Sequence, residues 1–493
     1  MGTVVEVDIL VVGAGPAGGS LASFLGQNGL KALMISSAPG TADTPRAHVV
    51  NPSTVAGLAQ FKPVPVRRTA ANGDGAAVYQ VKSRYIFGCD GGRSTVTRSL
   101  EFKFKSAPSG GVACNILLEA YVSDHRMQDR FANLHWIMQP RNRKFGTGPV
   151  IRMVKPWYQW MVVCFTPDAV QDPFQGLTPD SPELIQYVKD LFGDPNIDIK
   201  ILRLDPWTIR ESVAEKFSDS YDVFMAPTCV WEAFNLAWKI AYVEKGIAGK
   251  RLLDSYNEER WQVGAQLVRE SNEGMRRHAA IWASLGMFAE SPEAGVQALQ
   301  ELAEVTEVGV ARRAQLHASV EGIRLETESL GITRNQVYVS NAIYLDDEGP
   351  APKFDGDPIM DILITSRPGN RLPHAWLGGM VPGKRLSTID LAGHGAFTLF
   401  TGHGGQPWKQ VAAHATKVLG VPINCYAIGW GLDYHDMYRD WVKKREIGED
   451  GMLLVRPDRY VAWRSTKLIP DAEEKLLHVL KRILSRDENP KSI

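Results

Sequence analysis

The chain has 493 residues, enough for two or three domains, and its 44% hydrophobic and 22% charged residues are typical of a folded globular protein. Its 55 basic and 55 acidic residues give a formal net charge of zero, so no global field attracts nucleic acid or an anionic membrane surface. We therefore expect small-molecule partners, with no nucleic acid and no membrane.

The cysteine content argues against metal and disulfide chemistry. The cysteines are scattered, with no CxxC pair and no histidine cluster at metal spacing, so we expect no zinc site and a reducing compartment. No stretch approaches the ~20 apolar residues of a membrane span, and no basic leader precedes the first apolar run. We expect a cytoplasmic protein.

The first predicted element is a strand that ends in a glycine-rich turn. Asp8 to Val12 runs into Gly13-Ala14-Gly15-Pro16-Ala17-Gly18, and an alanine-rich helix follows to Leu25. In a dinucleotide-binding fingerprint Gly13 allows the tight turn, Gly15 lets backbone N–H groups approach a pyrophosphate, and Gly18 allows close packing of helix on strand. The six turn residues are candidate cofactor ligands. The alternative is a glycine-rich turn that binds nothing.

The second predicted element is a short strand from Lys31 to Ser36, the next parallel strand of a βαβ unit. Dinucleotide folds usually carry an acidic residue at this end to accept the ribose hydroxyls. Ser36 stands there instead, and its hydroxyl bonds more weakly than a carboxylate. Arg46 follows the strand and is a candidate ligand for a phosphate or for the flavin side of a cofactor. A solvated loop charge is the alternative for Arg46.

A third strand, Tyr85 to Cys89, ends at an Asp-Gly pair and leads into a polar helix start. Asp90 and Gly91 are therefore predicted to form the second element of the cofactor site.

Together these motifs resemble the single-component FAD-dependent aromatic hydroxylase family, in particular its phenol and chlorophenol monooxygenase branch. The resemblance rests on GAGPAG at 13–18, TPRAH at 44–48 and GCDGGRS at 88–94. It continues over nearly the whole chain, through Asn133–Trp136, Trp157–Val163, Asn235–Lys239, Leu252–Arg260 and Arg371–Leu377.

The resemblance implies a cofactor and a reaction. NADPH reduces bound FAD, O₂ adds to the reduced flavin to give a C4a-hydroperoxide, and that electrophile hydroxylates a phenolic or related aromatic substrate. The protein would orient the ring, assist deprotonation of the phenol and keep water from the peroxide, without a metal. We also expect a homodimer.

Two segments of the family pattern are missing from the chain. After Ala226 the family has a Gly-Asp motif that binds the flavin ribityl chain and a His- and Pro-rich loop beneath the isoalloxazine; here Trp231 is already inside the next helix. After Gln60 the family has a helix and several strands of the substrate domain, where this chain has a linker from Phe61 to Gly75. Both losses imply weak FAD binding and poor protection of the peroxide.

Two hypotheses about function therefore stay open. The chain is a FAD- and NADPH-dependent aromatic hydroxylase, or it is a catalytically impaired or inactive remnant with weak FAD binding. The missing segments after Gln60 and after Ala226 have two alternative explanations, a mis-spliced gene model or a truncated paralogue.

Other chemistries have less support. No GxSxG nucleophile motif accompanies the dispersed histidines, which argues against a hydrolase; they are His135, His278, His374, His394 and His403. A group of aromatic residues at near-helical spacing indicates a core face rather than a ligand site; it consists of Trp231, Phe234, Trp238 and Tyr242.

The predicted fold is α/β. A Rossmann-like FAD-binding domain covers 1–100 and 205–265, and a mixed-sheet substrate domain is inserted at 101–204. A helical connection covers 266–365, and a C-terminal thioredoxin-like domain covers 366–486, with Thr388 to Thr401 predicted as strand-turn-strand. Without a CxxC motif this domain cannot exchange dithiols.

Overall fold

A computed structural model of the chain describes residues 4–37, 80–108, 110–122, 132–166, 172–226, 230–381 and 383–486. Arg46, the linker after Gln60 and residues 227–229 lie outside the described residues, so what the sequence predicts for them stays a prediction. Within the described ranges, no helix is long and apolar enough to cross a membrane, and no cluster of His, Cys, Asp or Glu could hold a metal ion.

The first sheet has five strands in the order β11-β12-β3-β1-β2. All neighbours pair in parallel except β11, which pairs antiparallel with β12. Ile9, Leu10 and Val11 of β1 are all buried, as expected for a central parallel strand with both faces covered. The strand bounds are β1 Val4–Val12, β2 Leu33–Ile35, β3 Gln80–Gly88, β11 Ser218–Asp219 and β12 Val223–Met225, and the helices are α1 Pro16–Gln27 and α2 Thr95–Ser99.

The second sheet is antiparallel and has the strand order β6-β7-β8-β5-β9. Helix α3, Pro182–Phe192, covers one of its faces, where Leu184, Val188 and Leu191 join the core under the sheet. A two-stranded ribbon, β4 Phe104–Ser106 with β10 Ser212–Ala214, lies where the chain enters and leaves this unit. The sheet strands are β5 Val112–Glu119, β6 Leu134–Trp136, β7 Val150–Lys155, β8 Gln159–Thr166 and β9 Lys200–Thr208.

Two long helices follow the first sheet in the chain. Helix α4, Val230–Glu244, packs on α1 through Phe24 and Phe234, whose ring centroids are 5.0 Å apart. Helix α5, Asp254–Ser284, has 31 residues and a length of about 46 Å, so it reaches from β12 of the first sheet to the second sheet. The predicted domain boundary at 265 falls inside this continuous helix. Four shorter helices follow: α6 Pro292–Glu301, α7 Glu307–Gly322, α8 Leu325–Glu328 and α9 Leu330–Arg334.

The C-terminal unit contains a four-stranded sheet in the order β16-β15-β17-β18, in which only β15 and β16 are parallel. The prediction of strand-turn-strand from Thr388 to Thr401 is wrong in its first half. Ser387 and Asp390 form a reciprocal capping box, so Thr388 begins a helical turn instead. The elements are β13 Trp376–Leu377, β14 Leu386–Ser387, α10 Thr388–Leu391, β15 Phe397–Thr401, α11 Gln406–Leu419, β16 Ile423–Ala427, α12 Asp440–Lys444, β17 Met452–Val455, β18 Val461–Ser465 and α13 Ala472–Ile483.

Candidate functional site

The glycine-rich turn connects β1 to α1 at the carboxyl edge of the first sheet. Gly13 has φ +107°, and a side chain there would place its Cβ 2.3 Å from the carbonyl oxygen of Cys89. At Gly18 a Cβ would lie 1.9 Å from the Gly13 carbonyl oxygen, so helix and turn could not approach each other. Both positions require glycine, Gly13 for its backbone conformation as well as its lack of Cβ, and the tight turn is the one that a dinucleotide fingerprint needs.

Gly15 differs from its neighbours because its surroundings are open. A Cβ at Gly15 would meet no atom within 4 Å, and Ala14, Gly15 and Pro16 are exposed. Gly15 is also the N-cap of α1, and neither a capping side chain nor an acidic residue satisfies the first turn of that helix. The N–H groups of the first helical turn, which have no partner within the helix, and the positive end of the helix dipole therefore lie at an open position, an arrangement that favours phosphate binding.

Asp90 follows β3 at the same edge of the sheet. Its Oδ2 accepts hydrogen bonds from the backbone N–H groups of Thr95, at 2.6 Å, and Val96, at 3.3 Å, so it caps α2. Its Oδ1 is buried and has no hydrogen-bond partner among the described residues. Such an acceptor suits a hydroxyl donor such as a ribose hydroxyl, and Gly91 beside it, at φ +78°, leaves open space.

The structure thus brings most of the predicted cofactor residues to one edge. Ser36 is exposed directly after β2, whose Ile35 carbonyl accepts a 2.8 Å hydrogen bond from the Gly13 N–H. Arg46 lies outside the described residues. The described residues therefore fit the nucleotide end of FAD, with a turn for the pyrophosphate and an unpaired carboxylate oxygen for a hydroxyl.

The opposite, ring-binding end is less complete. Ala226 follows β12 and is the last described residue before α4, which begins at Val230. In the first turn of α4 the Trp231 ring is half-buried, and the Arg371 guanidinium lies 4.2 Å from its centroid. The described residues offer an aromatic side chain and a helix start here, and the carboxylate of this turn, Glu232, is buried in an ion pair with Arg260 at 2.8 Å.

The second sheet presents two different faces. The face against α3 is apolar and packed. Residues directly opposite each other on neighbouring strands point to the same face and form rows across the sheet. On the other face these rows contain both apolar and polar residues. One row crosses all five strands and another lies beside it: Trp136, Val150, Val163, Asn115 and Asp205, then Leu134, Arg152, Met161, Leu117 and Arg203.

Polar groups on the mixed face are held in place. Trp207 Nε1 donates to Asn115 Oδ1 at 3.3 Å, and Arg203 Nε donates to Asp205 Oδ2 at 2.8 Å. Arg152 is buried, and burial lowers the pKa of its guanidinium. An apolar sheet face with a few fixed polar groups is suited to a flat aromatic ligand with polar substituents.

The far end of α5 packs on this face. The ring centroids of Trp136 and His278 are 4.7 Å apart, and those of Trp136 and Trp282 are 5.9 Å apart. Sequence reasoning treated His278 as one of several dispersed histidines. The i,i+4 spacing of His278 and Trp282, which places both on one helix face, is the signal that could have found this cluster.

Comparison with known proteins agrees with this geometry. The FAD binding domain family matches residues 6–62, 59–226 and 228–271, and the aromatic-ring hydroxylase C-terminal family matches residues 365–486. The first match is broken at 59–62 and at 226–228. These are the two junctions at which the sequence predicts missing segments.

Curated relatives carry aromatic hydroxylase names. The chain is 30% identical to 2,4-dichlorophenol 6-monooxygenase of Delftia acidovorans over 591 residues, covering 98% of this chain and 99% of the relative. It is 28% identical to phenol 2-monooxygenase of Pseudomonas sp. strain EST1001, covering 97% and 93%. An alignment of 591 positions with a chain of 493 residues must contain internal positions that this chain lacks.

Solved structures agree in fold. The flavin-dependent monooxygenase PieE, in complex with FAD and substrate, superposes with a TM-score of 0.82 at 28% identity, covering 98% of this chain and 99% of that one. Aklavinone-11 hydroxylase shares the fold with a TM-score of 0.67 at 22% identity, covering 98% and 99%. With both family matches and an end-to-end relative at 30% identity, the chain belongs to the FAD-dependent aromatic-ring hydroxylases.

Proposed function

We propose that the chain is a FAD- and NADPH-dependent monooxygenase that hydroxylates a phenolic or related aromatic substrate with O₂. The observation that carries the proposal is the open start of α1 at Gly15 together with the Asp90 oxygen that has no hydrogen-bond partner among the described residues. These features support a nucleotide site in a chain whose relatives are named phenol and chlorophenol monooxygenases.

The cofactor residues have separate tasks in this proposal. The turn from Gly13 to Gly18 holds the pyrophosphate on the helix start, and Asp90, Gly91 and Ser36 hold hydroxyl groups of the nucleotide. Arg46 is proposed as a further phosphate or flavin ligand. When bound and reduced by NADPH, the flavin activates O₂ and supplies the oxygen atom that enters the ring.

The mixed face of the second sheet is proposed to hold the substrate. Trp136, Val163 and Met161 supply apolar contact to a flat ring, while Asn115 and Asp205 supply fixed polar groups. Helix α5 contacts this face through His278 and Trp282 and contacts β12 of the first sheet through Tyr256. A substrate ring packed on this face would be shielded from water on that side.

The remaining proposals concern the whole molecule. The order β15-α11-β16-α12-β17-β18-α13 and the sheet order of the C-terminal unit support a thioredoxin-like domain. Cys425 is the one cysteine in the sequence from 366 to 486, so this domain fits a structural role better than dithiol exchange. We further propose a cytoplasmic homodimer.

A second candidate function is favoured by the breaks in the family match. The family segments expected after Gln60 and after Ala226 correspond to these breaks. If the gene lacks them, the chain is an impaired paralogue with weak FAD binding. Genomic sequence separates the two: an in-frame stretch between the codons of Ala226 and Trp231 that encodes Gly-Asp and a His/Pro-rich loop supports the active hydroxylase. Titrating FAD and ADP into the purified chain tests the nucleotide site directly, and absence of binding for both would refute it.

A further inference from the structure

We propose that His278, positioned by Glu326, accepts the proton of the phenolic hydroxyl group, and that Trp282 donates a hydrogen bond to the resulting phenolate oxygen. This inference rests on the proposed function, because it assigns the residues that would activate a phenol. His278 and Trp282 lie one helical turn apart on α5 and both contact Trp136 of the second sheet.

The surroundings of His278 fix the proton on one ring nitrogen. Nδ1 lies 3.2 Å from the carbonyl oxygen of Gly274 and 3.3 Å from Oε1 of Glu326. Both oxygens are acceptors, so in the neutral ring Nδ1 carries the hydrogen and Nε2 is left as a lone-pair acceptor. A carboxylate behind Nδ1 also stabilises the charged ring once Nε2 takes up a proton, which is the arrangement of a general base.

Two buried nitrogen atoms in this cluster have no partner. His278 is 3% exposed and Trp282 is 5% exposed, yet His278 Nε2 and Trp282 Nε1 make no hydrogen bond to any described residue. Buried unpaired polar atoms are costly, so two neighbouring ones point to a ligand that completes them.

The two atoms complement a hydroxyl group. Nε2 of His278 can only accept and Nε1 of Trp282 can only donate, while a phenol oxygen donates one hydrogen bond and accepts another. The two rings are neighbours, with centroids 5.9 Å apart, so one small ligand can reach both. The tilted aromatic rings of Trp136 and Trp282 suit an aromatic ligand.

The proton-transfer step balances within this site. The phenolic O–H bond breaks, its electron pair stays on oxygen, and the proton forms a new bond to His278 Nε2. The products are a phenolate, held by Trp282 Nε1–H, and an imidazolium paired with Glu326. Charge on the phenolate makes the ortho and para carbons more nucleophilic. No oxidant or reductant takes part in this step.

The test uses 4-nitrophenol, whose phenolate form has its own visible absorption. The full-length chain is mixed with the probe at a pH where the free probe is mainly protonated, flavin absorbance is subtracted, and equilibrium dialysis gives the bound amount. We expect the bound probe to be ionised in the wild type. In His278→Gln the ionised fraction relative to neutral probe should fall roughly tenfold, equivalent to one pKa unit of the bound phenol.

Two further variants keep the test sharp. Glu326→Gln alters a side chain that is 38% exposed, so it should fold, and it should lower ionisation by a smaller factor because the imidazolium loses its charged partner. His135→Gln is the matched control. His135 lies beside Trp136 on β6, but it is paired with Ile151 on the opposite face of the sheet, so ionisation should not change.

The outcomes are distinguishable. Equal ionisation in the wild type and His278→Gln would overturn the proposal, as would an equal loss in His135→Gln. If His278→Gln does not fold, an unchanged ionised fraction in Glu326→Gln would overturn it. A wild-type chain that binds no probe would contradict the phenolic substrate class, and therefore the proposed function itself.

Discussion

Arg456 and Glu259 form a two-pronged ion pair that is fully buried, with Nη1–Oε1 and Nη2–Oε2 distances of 2.5 and 2.9 Å. Arg456 belongs to the turn between β17 and β18, and Glu259 belongs to α5. Lys239 of α4 donates to Glu259 at 2.8 Å, and Arg456 also contacts Asp458 at 2.5 Å. Two positive and two negative charges therefore join the C-terminal unit to the helices beside the first sheet.

Removing Arg456 should strongly destabilise the protein. Arg456→Met leaves Glu259 and Asp458 buried with less than their full complement of positive charge, and we expect the free energy of unfolding to fall by about 3–5 kcal/mol. Urea unfolding measures it. Arg464→Met is the control. Arg464 lies on β18 of the C-terminal unit and pairs with Glu348 at 2.6 Å, where the two side chains are 14% and 10% exposed. We expect that variant to lose clearly less, and equal losses would contradict a special role for the buried pair.

Lys239 should make stability depend on pH. Burial lowers the pKa of Lys239 to about 8, from an ordinary value of 10.5, although Glu259 opposes the shift. Between these two values the unfolded chain binds more protons than the folded chain, so the free energy of unfolding should rise with pH in that window. Lys239→Met lacks this contribution. The wild type should therefore gain on the order of 1–3 kcal/mol relative to the variant across the window. A constant difference between the two would show that Lys239 does not titrate there.

The turn of the candidate nucleotide site is easier to recognise in the sequence than the residues of the candidate substrate site, for a physical reason. The turn from Gly13 to Gly18 is formed by consecutive residues. Its backbone conformation and close packing restrict which residues can stand at fixed positions, so the motif can be recognised in one stretch of the sequence. The cluster of Trp136, His278 and Trp282 joins residues more than a hundred positions apart, and only the strand register and the length of α5 bring them together.

Local reasoning also failed where a cap competed with strand propensity. Thr388, Ile389 and Leu391 look like strand residues, but the hydrogen bonds between Ser387 and Asp390 favour a helical turn. Likewise, the sequence does not predict the ion pair between Glu259 and Arg456, because the two residues lie 197 positions apart. Buried charges of this kind are visible only after the tertiary contacts are known.

Gly15→Val should abolish binding of ADP while the chain still folds. The new side chain would enter the open space at the start of α1, which the pyrophosphate is proposed to occupy. Calorimetric titration of ADP into wild type and variant measures the loss, which should exceed tenfold. Gly19→Ala is the matched control, since its Cβ also meets nothing within 4 Å but lies further along α1. Equal ADP affinity in Gly15→Val and the wild type would remove the dinucleotide interpretation of this turn.

The most discriminating prediction concerns the incomplete ring end of the flavin site. Purified as it stands, the chain should contain less than one FAD per chain. With NADPH and added FAD it should produce mainly hydrogen peroxide and little hydroxylated phenol. Beside Trp231 the carboxylate of Glu232 is buried in an ion pair with Arg260 and so is not placed to bind the ribityl chain, and an uncovered flavin is open to water.

Inserting a family-type segment between Ala226 and Trp231, with its Gly-Asp motif and His/Pro-rich loop, should raise flavin occupancy, because it returns a charge-assisted hydrogen bond to the ribityl hydroxyls. The same insertion with Ala in place of that Asp is the matched control and should recover less. Coupled hydroxylation should need the segment after Gln60 as well, because that segment completes the pocket wall. Flavin absorbance per chain and product formed per NADPH consumed decide the matter. A fully flavinated, tightly coupled enzyme obtained from the present sequence would show that neither segment is required.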